Sequence, residues 1–516
     1  MPMTMSRLRL APLLLTATAL CACEVGPNYH RPSVPTPASG AYKEIAGFTP
    51  ANPSDAAERA DWWTVFNDPV LTDLEQRVRT SNQSLKAAQA AYAAARALVA
   101  EQRAAFYPTL IGTGSASDSH GGTGSSLITT TTGTTTGGTG TTGGGTTTGG
   151  GTTGGGTTTG GGASVSVPTS KSTDYSLQLG ATWEPDIWGK VRREVENAKA
   201  NAQSNAADIV NTRLSMQMEL AADYITLRML DEEKRLDDAT VKAYADSLDV
   251  TRNKYNAGVS ALSDVDAAET QLHNAKAAEI ALGQQRAQME HAIAILVGQA
   301  PADVTIAPAP WTLQPVGIPP GVPSVLLQRR PDIAASERLA AAASAEIGVA
   351  VAGYYPDISL TGEGGTEATK IASLFSPSTF FWSVGGSAVQ TLFDGGLTHA
   401  QVQNAKATYD EAVANYRQAV LTAFGQVEDN LAAQRVLAEE QPELKDAVIS
   451  ADQDLRIVQN QYRAGTIDYT SVVVAQTQDY TARNAELQIE ASRLTTTVDL
   501  IVALGGGWND SELKGK

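Results

Sequence analysis

Across 516 residues the chain sets 55 Asp and Glu against 38 Lys and Arg, a formal net charge of −17. That sign disfavours nucleic acid as a partner, because phosphate binding needs a basic face. The only cysteines, Cys21 and Cys23, are two residues apart near the N-terminus, so no disulfide framework is available. Beyond the first 22 residues there is no run of 18 apolar residues, which leaves a closed β-barrel as the one route across a bilayer.

In chain order, residues 1–22 read as a signal peptide, with a basic start at Arg7 and Arg9 and an apolar run from Leu10 to Leu20 too short for a permanent span. Leu20-Cys21-Ala22-Cys23 resembles a bacterial lipobox: Ala22 suits cleavage, Cys21 leaves with the leader, and the Cys23 thiol would carry the lipid of an anchored extension over 23–61. Glu24 rather than Asp follows, which is compatible with passage onward to the outer membrane. Four short strand-like segments, bounded by turn residues, occur at Tyr107–Gly114, Thr173–Glu184, Asp357–Gly364 and Phe380–Phe393. Four strands do not close a barrel, although several chains giving four each could. Between the first two strands, Ile128 to Gly162 is almost entirely Gly and Thr, a composition expected to form a solvent loop spanning about 112–172.

The long helices come in duplicate. Gly189 to Gly258 and Gly396 to Gly465 have equal length and end alike, in Tyr255-Asn-Ala-Gly258 and Tyr462-Arg-Ala-Gly465; a helix filling either would be roughly 100 Å long. Upstream, Asn82 to Pro108 aligns with Arg330 to Pro356, giving one repeat over 62–311, a second over 312–508 and a tail at 509–516. Leu214, Met218, Ala221 and Ile225 form one apolar stripe and Leu220, Tyr224 and Leu227 another, so neighbours are expected on two sides. Pro442 is expected to bend or interrupt the second long helix.

Several motifs carry a family resemblance: Cys23-Glu-Val-Gly-Pro-Asn-Tyr-His-Arg-Pro32, Trp62-Trp63 with Phe66-Asn-Asp-Pro69, Pro323-Ser-Val-Leu-Leu-Gln-Arg-Arg-Pro-Asp-Ile333, Leu392-Phe-Asp-Gly-Gly396 and Ala503-Leu-Gly-Gly-Gly-Trp508. Over Cys23 to Trp508 the chain resembles the TolC-like outer membrane factors, in their lipidated, OprM-like branch. The resemblance implies a mainly α fold with a β-barrel. Three chains would form a twelve-stranded barrel in outer membrane lipid, continued by a long periplasmic α-helical barrel. It also implies a job: the exit channel for drugs or other small molecules, served by a periplasmic adaptor and an inner-membrane transporter, with no cofactor. Alternatives are the exit duct of a type I protein secretion system and, in another class, a non-conducting periplasmic coiled-coil scaffold.

Within that resemblance Tyr255, Gly258, Val259, Tyr462, Gly465 and Thr466 match the adaptor-docking tip. Family members commonly place an Asp ring where this chain has Val474, so Asp264, Asp266 and Asp468 remain as gate candidates, with Lys254 and Arg463 as possible partners; for Asp264 and Asp266 the alternative is a favourable charge at a helix N-terminus. Ser263-Asp-Val-Asp266 is expected to cap the helix that follows Gly258. Catalysis finds no support: His30, His120, His273, His291 and His399 make no metal-ligand spacing, and Gly143 to Gly162 lacks the Gly-Lys-Ser/Thr ending of a phosphate loop.

Overall fold

The computed structural model describes residues 24–35, 41–44, 61–120, 171–314 and 330–506. The leader, Cys23, the Gly/Thr tract, the linker before Arg330 and Trp508 lie outside them. The chain divides into a helical unit and a strand unit, the latter built from Tyr107–Pro185 and Asp357–Val389. Each copy of the repeat contributes to both.

The helical unit contains α1 (Pro69–Ser81), α2 (Gln83–Ala104), α3 (Lys190–Asn256), α4 (Leu262–Leu296), α5 (Pro331–Ala352), α6 (Leu397–Ala464) and α7 (Tyr469–Ala503). At 67 and 68 residues, α3 and α6 are each about 100 Å long. Both start the same way. Gly189 and Gly396 take left-handed φ values of 84° and 94°, and a nearby carboxylate satisfies the free amides of the first turn. Asp186 accepts from Val191 N and Arg192 N at 3.0 and 3.1 Å, and Asp394 from Thr398 N at 2.7 Å.

Short helices flank the long ones. Helix α3 packs against α2, α4, α5 and α7, and α6 against α5 and α7. The two sequence stripes meet in one core, where Leu214, Leu220, Ala221, Tyr224, Ile225 and Leu227 are buried with Trp62, Trp63, Ile293 and Val498. Helix α6 runs unbroken through Pro442, contrary to the interruption allowed for in the sequence. The missing amide frees one carbonyl of the preceding turn, but α7 holds the helix ahead of the proline through three hydrogen bonds and just past it through Lys445, 3.7 Å from Glu490. Gln434 donates to Thr497 Oγ1 at 2.7 Å, Gln441 to Glu490 Oε1 at 3.2 Å, and Arg493 donates to Gln441.

The strand unit is an antiparallel sheet in the order β1 (Thr109–His120), β2 (Lys171–Trp183), β3 (Asp357–Ala368), β4 (Phe380–Val389). Opposed residues share a face and neighbours along a strand alternate, so the register sorts every side chain. Leu110 faces Ala181, Gly114 faces Leu177, Trp183 faces Leu360, and Val384 faces Gly362. One face therefore carries Leu110, Leu177, Leu179, Trp183, Leu360, Phe380, Trp382 and Val384. The other is mostly polar, carrying Thr113, Ser115, Asp174, Gln178, Asp357, Ser359, Glu363, Glu367 and Ser387 together with Ile111, Phe381 and Val389. The apolar face is bare: Trp382 is 71 % and Val384 78 % exposed.

Candidate functional site

Two places in the chain have geometry beyond self-support: the hairpins that end α3 and α6, and the two-faced sheet. Helices α3 and α6 stop in the same turn. Gly258 (φ 73°) donates to Tyr255 O at 2.8 Å and Val259 to Lys254 O at 3.0 Å; Gly465 (φ 77°) donates to Tyr462 O at 3.0 Å and Thr466 to Gln461 O at 3.1 Å. This paired closure needs a left-handed residue, which glycine adopts without strain. Around the turns Tyr255, Val259 (72 % exposed) and Thr466 are exposed, as docking would require, whereas Tyr462 is buried.

Tyr462 belongs instead to the contact between hairpins. Tyr244, Leu248, Val265, Leu272, Tyr462, Tyr469 and Val472 form one buried cluster from all four helices. The Tyr462 and Tyr469 rings lie 5.5 Å apart, Tyr462 Oη donates to Thr251 Oγ1 at 3.1 Å, and Ser247 Oγ donates to Tyr469 Oη at 3.4 Å. The Lys254 ammonium sits 3.7 Å from the centre of the Tyr462 ring and donates to the Tyr462 carbonyl. Thr251, Lys254 and Ser247 recur on one side of α3, which brings all three to the second hairpin.

The charged gate residues are arranged differently from expectation. Among the described residues no ion pair joins Lys254 or Arg463 to Asp264, Asp266 or Asp468; Lys254 is occupied by Tyr462, and Arg463 and Asp266 are exposed. Asp468 caps its own helix, accepting from Ser471 N at 3.1 Å and Ser471 Oγ at 2.9 Å, bonds that hold its carboxyl below the usual range. Helix α4 begins at Leu262, a residue earlier than Ser263-Asp-Val-Asp266 suggests, with Ala261 at the cap. Asp264 lies in the first turn, where its charge suits the helix N-terminus, and accepts from Ser260 Oγ at 2.6 Å. Val474, at the position of the family's Asp, is half exposed.

Two polar assemblies escaped the sequence reading. Asp68 caps α1 through Val70 N and accepts from Tyr224 Oη at 2.7 Å; Arg228 continues the chain to Tyr224 and to Asp231, and Arg286 reaches the other oxygen of Asp231. Arg228 also bonds Ala307 O, and the Asp231 carboxylate accepts from Ala309 N, so α1, α3, α4 and the segment after Pro301 are laced together. The second assembly is a strap. Residues 24–35 and 41–44 contact three helices: Arg193 meets Glu24 and Asn28, Tyr29 meets Glu337, Arg31 meets Tyr416, and Glu44 meets Arg435. The Arg-Pro-Asp motif finds its reason too. Arg330 forks onto Asp332 and reaches Gln426 Oε1 and Ala503 O, tying α5 to α6 and α7.

A sheet apolar on one face and polar on the other, joined in one chain to duplicated 100 Å helices, defines a channel component that places its strands in lipid and its helices in water. The family model for "Outer membrane efflux protein" matches residues 74–299 and 322–506, and the chain belongs to that family. Among its relatives, the probable efflux pump outer membrane protein TtgC of Pseudomonas putida is 30% identical over 510 residues, 98% of this chain and 96% of that one. The outer membrane protein OprJ of Pseudomonas aeruginosa is 27% identical, covering 96% of this chain and 95% of its own. Among solved structures, the outer-membrane channel OprN superposes with a TM-score of 0.80 at 28% identity, over 94% of this chain and all of that one. The CmeC outer membrane channel of Campylobacter jejuni, at 22% identity, shares the fold with a TM-score of 0.81 over 95% of this chain and 96% of its own.

Proposed function

We propose that three copies of this chain form the outer membrane exit channel of a tripartite efflux pump, carrying small molecules handed over by a periplasmic adaptor and an inner-membrane transporter. The observation that carries this reading is the sheet. Its strands of 10 to 13 residues match the span of a transmembrane strand, its apolar face suits lipid, and its polar face suits a water-filled lumen. Relatives named for toluene and antibiotic efflux pumps support small-molecule cargo over polypeptide export. The exposed Tyr255, Gly258, Val259, Gly465 and Thr466 form the surface offered to the adaptor, and Tyr462 supports it from beneath. Purified protein reconstituted in planar lipid bilayers should give discrete single-channel conductance; a non-conducting trimer would return the chain to the scaffold class.

Acylation at Cys23 belongs to the same reading. The next residue, Glu24, packs against Gly189, where a Cβ would come within 3.1 Å of the Glu24 Cα, and Val25 N donates to Trp188 O at 3.1 Å. Gly189 follows the end of β2 by only six residues, so the residue next to Cys23 is held against a point of the chain just past a strand, which suits a lipid anchor there. Cys23→Ser should abolish incorporation of radioactive palmitate while some protein still inserts through its strands; full labelling of the variant would remove the lipobox assignment.

A further inference from the structure

The apolar face of the sheet is covered at one end. On β3 its last residue, Ala368, is buried, while the neighbouring Glu367 on the polar face is exposed. Tyr175 lies opposite Ala368 on one side; on the other, pairing with β4 begins only at Thr366↔Phe380, and the turn Pro377–Thr379 packs against β3. The connection from β3 to β4 therefore folds over the apolar face and leaves the polar one open. It holds two bulky apolar side chains outward, Ile371 at 69 % and Phe375 at 77 % exposure, with Leu374 half-buried between them in sequence. Phe380 and Trp382 on the apolar face of β4 are exposed as well, so the exposed apolar surface continues from the connection into the strand. The backbone of the connection is closed on itself. The amides of Ser373, Leu374, Ser376 and Thr379 donate to Lys370 O, Ile371 O, Ser373 O and Ser376 O at 3.0, 3.3, 3.0 and 3.1 Å, and Pro377 has no amide to satisfy. The Ser373 hydroxyl donates to Lys370 O at 2.9 Å, and the Thr379 hydroxyl lies 2.7 and 2.9 Å from the carbonyl oxygens of Ser376 and Leu374. A segment bathed in water can leave such groups to the solvent, whereas one entering apolar surroundings has to satisfy them internally.

We propose that the β3–β4 connection is a lipid foot, through which Ile371 and Phe375 enter the acyl region of the outer leaflet beside the barrel. The strands β1 and β3 follow α2 and α5, and β2 and β4 lead on to α3 and α6, so this connection joins strand ends that lead to no helix. With the helices in the periplasm, those ends belong to the outer leaflet. Lipid is the occupant because the foot lies on the face that the strands already turn to lipid and is continuous with it through Phe380. Withdrawing the foot would return the Ile371 and Phe375 side chains to water, a cost proportional to the apolar area re-exposed, so it resists movement of the barrel towards the periplasm. This assignment rests on the outer membrane channel reading and extends its lipid contact from the strands to a loop.

Spin labelling tests it. In a Cys21→Ser/Cys23→Ser background, which removes both native thiols, Phe375→Cys, Ile371→Cys, Trp382→Cys and Glu367→Cys are each labelled with a nitroxide and reconstituted in vesicles of phosphatidylcholine and phosphatidylglycerol. Collisions with oxygen, which concentrates in lipid, are then compared with collisions with a water-soluble nickel chelate. The ratio of oxygen to nickel access at Phe375→Cys should match that at Trp382→Cys on the apolar face and exceed severalfold that at Glu367→Cys on the polar face. Ile371→Cys should behave as Phe375→Cys does, and it supplies the same reading if the Phe375 variant fails to assemble. Nickel-dominated access at the loop sites, with Trp382→Cys in lipid, places the connection in water and overturns the foot alone. Low access to both reagents at the loop sites assigns them to a protein contact, such as a second copy of this chain, and overturns it too. Nickel-dominated access at Trp382→Cys itself would take the sheet out of lipid and overturn the channel reading beneath the proposal.

Discussion

Glu75 is the side chain whose environment is most at odds with its chemistry. It lies on α1 beside Leu71, Leu74 and Val78, fully buried, and neither oxygen finds a hydrogen-bond partner among the described residues. Burial pushes its carboxyl from 4.5 up to about 9, with Gln217 a weaker opposing influence. The folded state therefore holds a proton that the unfolded state loses first, so stability should fall as pH rises from about 4.5 towards 9, by up to about 1.4 kcal/mol per pH unit. Glu75→Gln keeps the shape and removes the charge. Its thermal unfolding should be flatter between pH 5 and pH 8 than that of the wild type, and it should melt higher at pH 8; equal slopes would show that Glu75 does not titrate in the native protein. Periodicity alone could have placed Glu75 on the apolar side of α1, between Leu71 and Val78. What it could not show is that α3 closes over that side, since the helix–helix contact joins residues more than a hundred positions apart.

The elements show the same division between local and distant information. The strands, the equal long helices and the turns at Gly258 and Gly465 are legible in the sequence because each depends on its own residues: turn residues bounding short segments, a repeat of fixed length, and glycine at the left-handed position. Lys254 was read as half of an ion pair because a sequence advertises charge and hides geometry; its partner is a tyrosine ring from the other hairpin. Strand edges differ by a few residues because pairing with a neighbouring strand extends them, and Pro442 is accommodated within a helix that α7 braces through side chains on Gln434, Gln441 and Lys445. A cation over a ring contributes about 0.5–2 kcal/mol, enough to bias the hairpins without locking them. We expect Lys254→Met, which keeps apolar bulk, to raise single-channel conductance modestly, and Lys254→Met/Tyr462→Ala to raise it severalfold and admit large antibiotics such as vancomycin into cells. Wild-type conductance in the double variant would assign closure to the apolar cluster around Val472.

For the molecule as a whole, the polar face of the sheet sets what the proposed lumen selects. It carries Asp174, Asp357, Glu363 and Glu367, and among the described residues no Lys or Arg. Repeated around a ring, such carboxylates favour cations. In a tenfold salt gradient the reversal potential should report cation preference, and Glu363→Gln/Glu367→Gln should reduce it; unchanged selectivity would move the filter to the hairpin ends.

The strap of residues 24–35 and 41–44 imposes an order on self-assembly. Arg31 waits for Tyr416, 385 positions later, and Glu44 for Arg435, 391 positions later. These early residues can settle only after nearly the whole chain has been delivered. Contacts of such sequence separation form late, because so much chain must first be closed into a loop. Until then the amino-terminal segment is a loose end, and the time needed to seat it separates a delivered chain from a finished one.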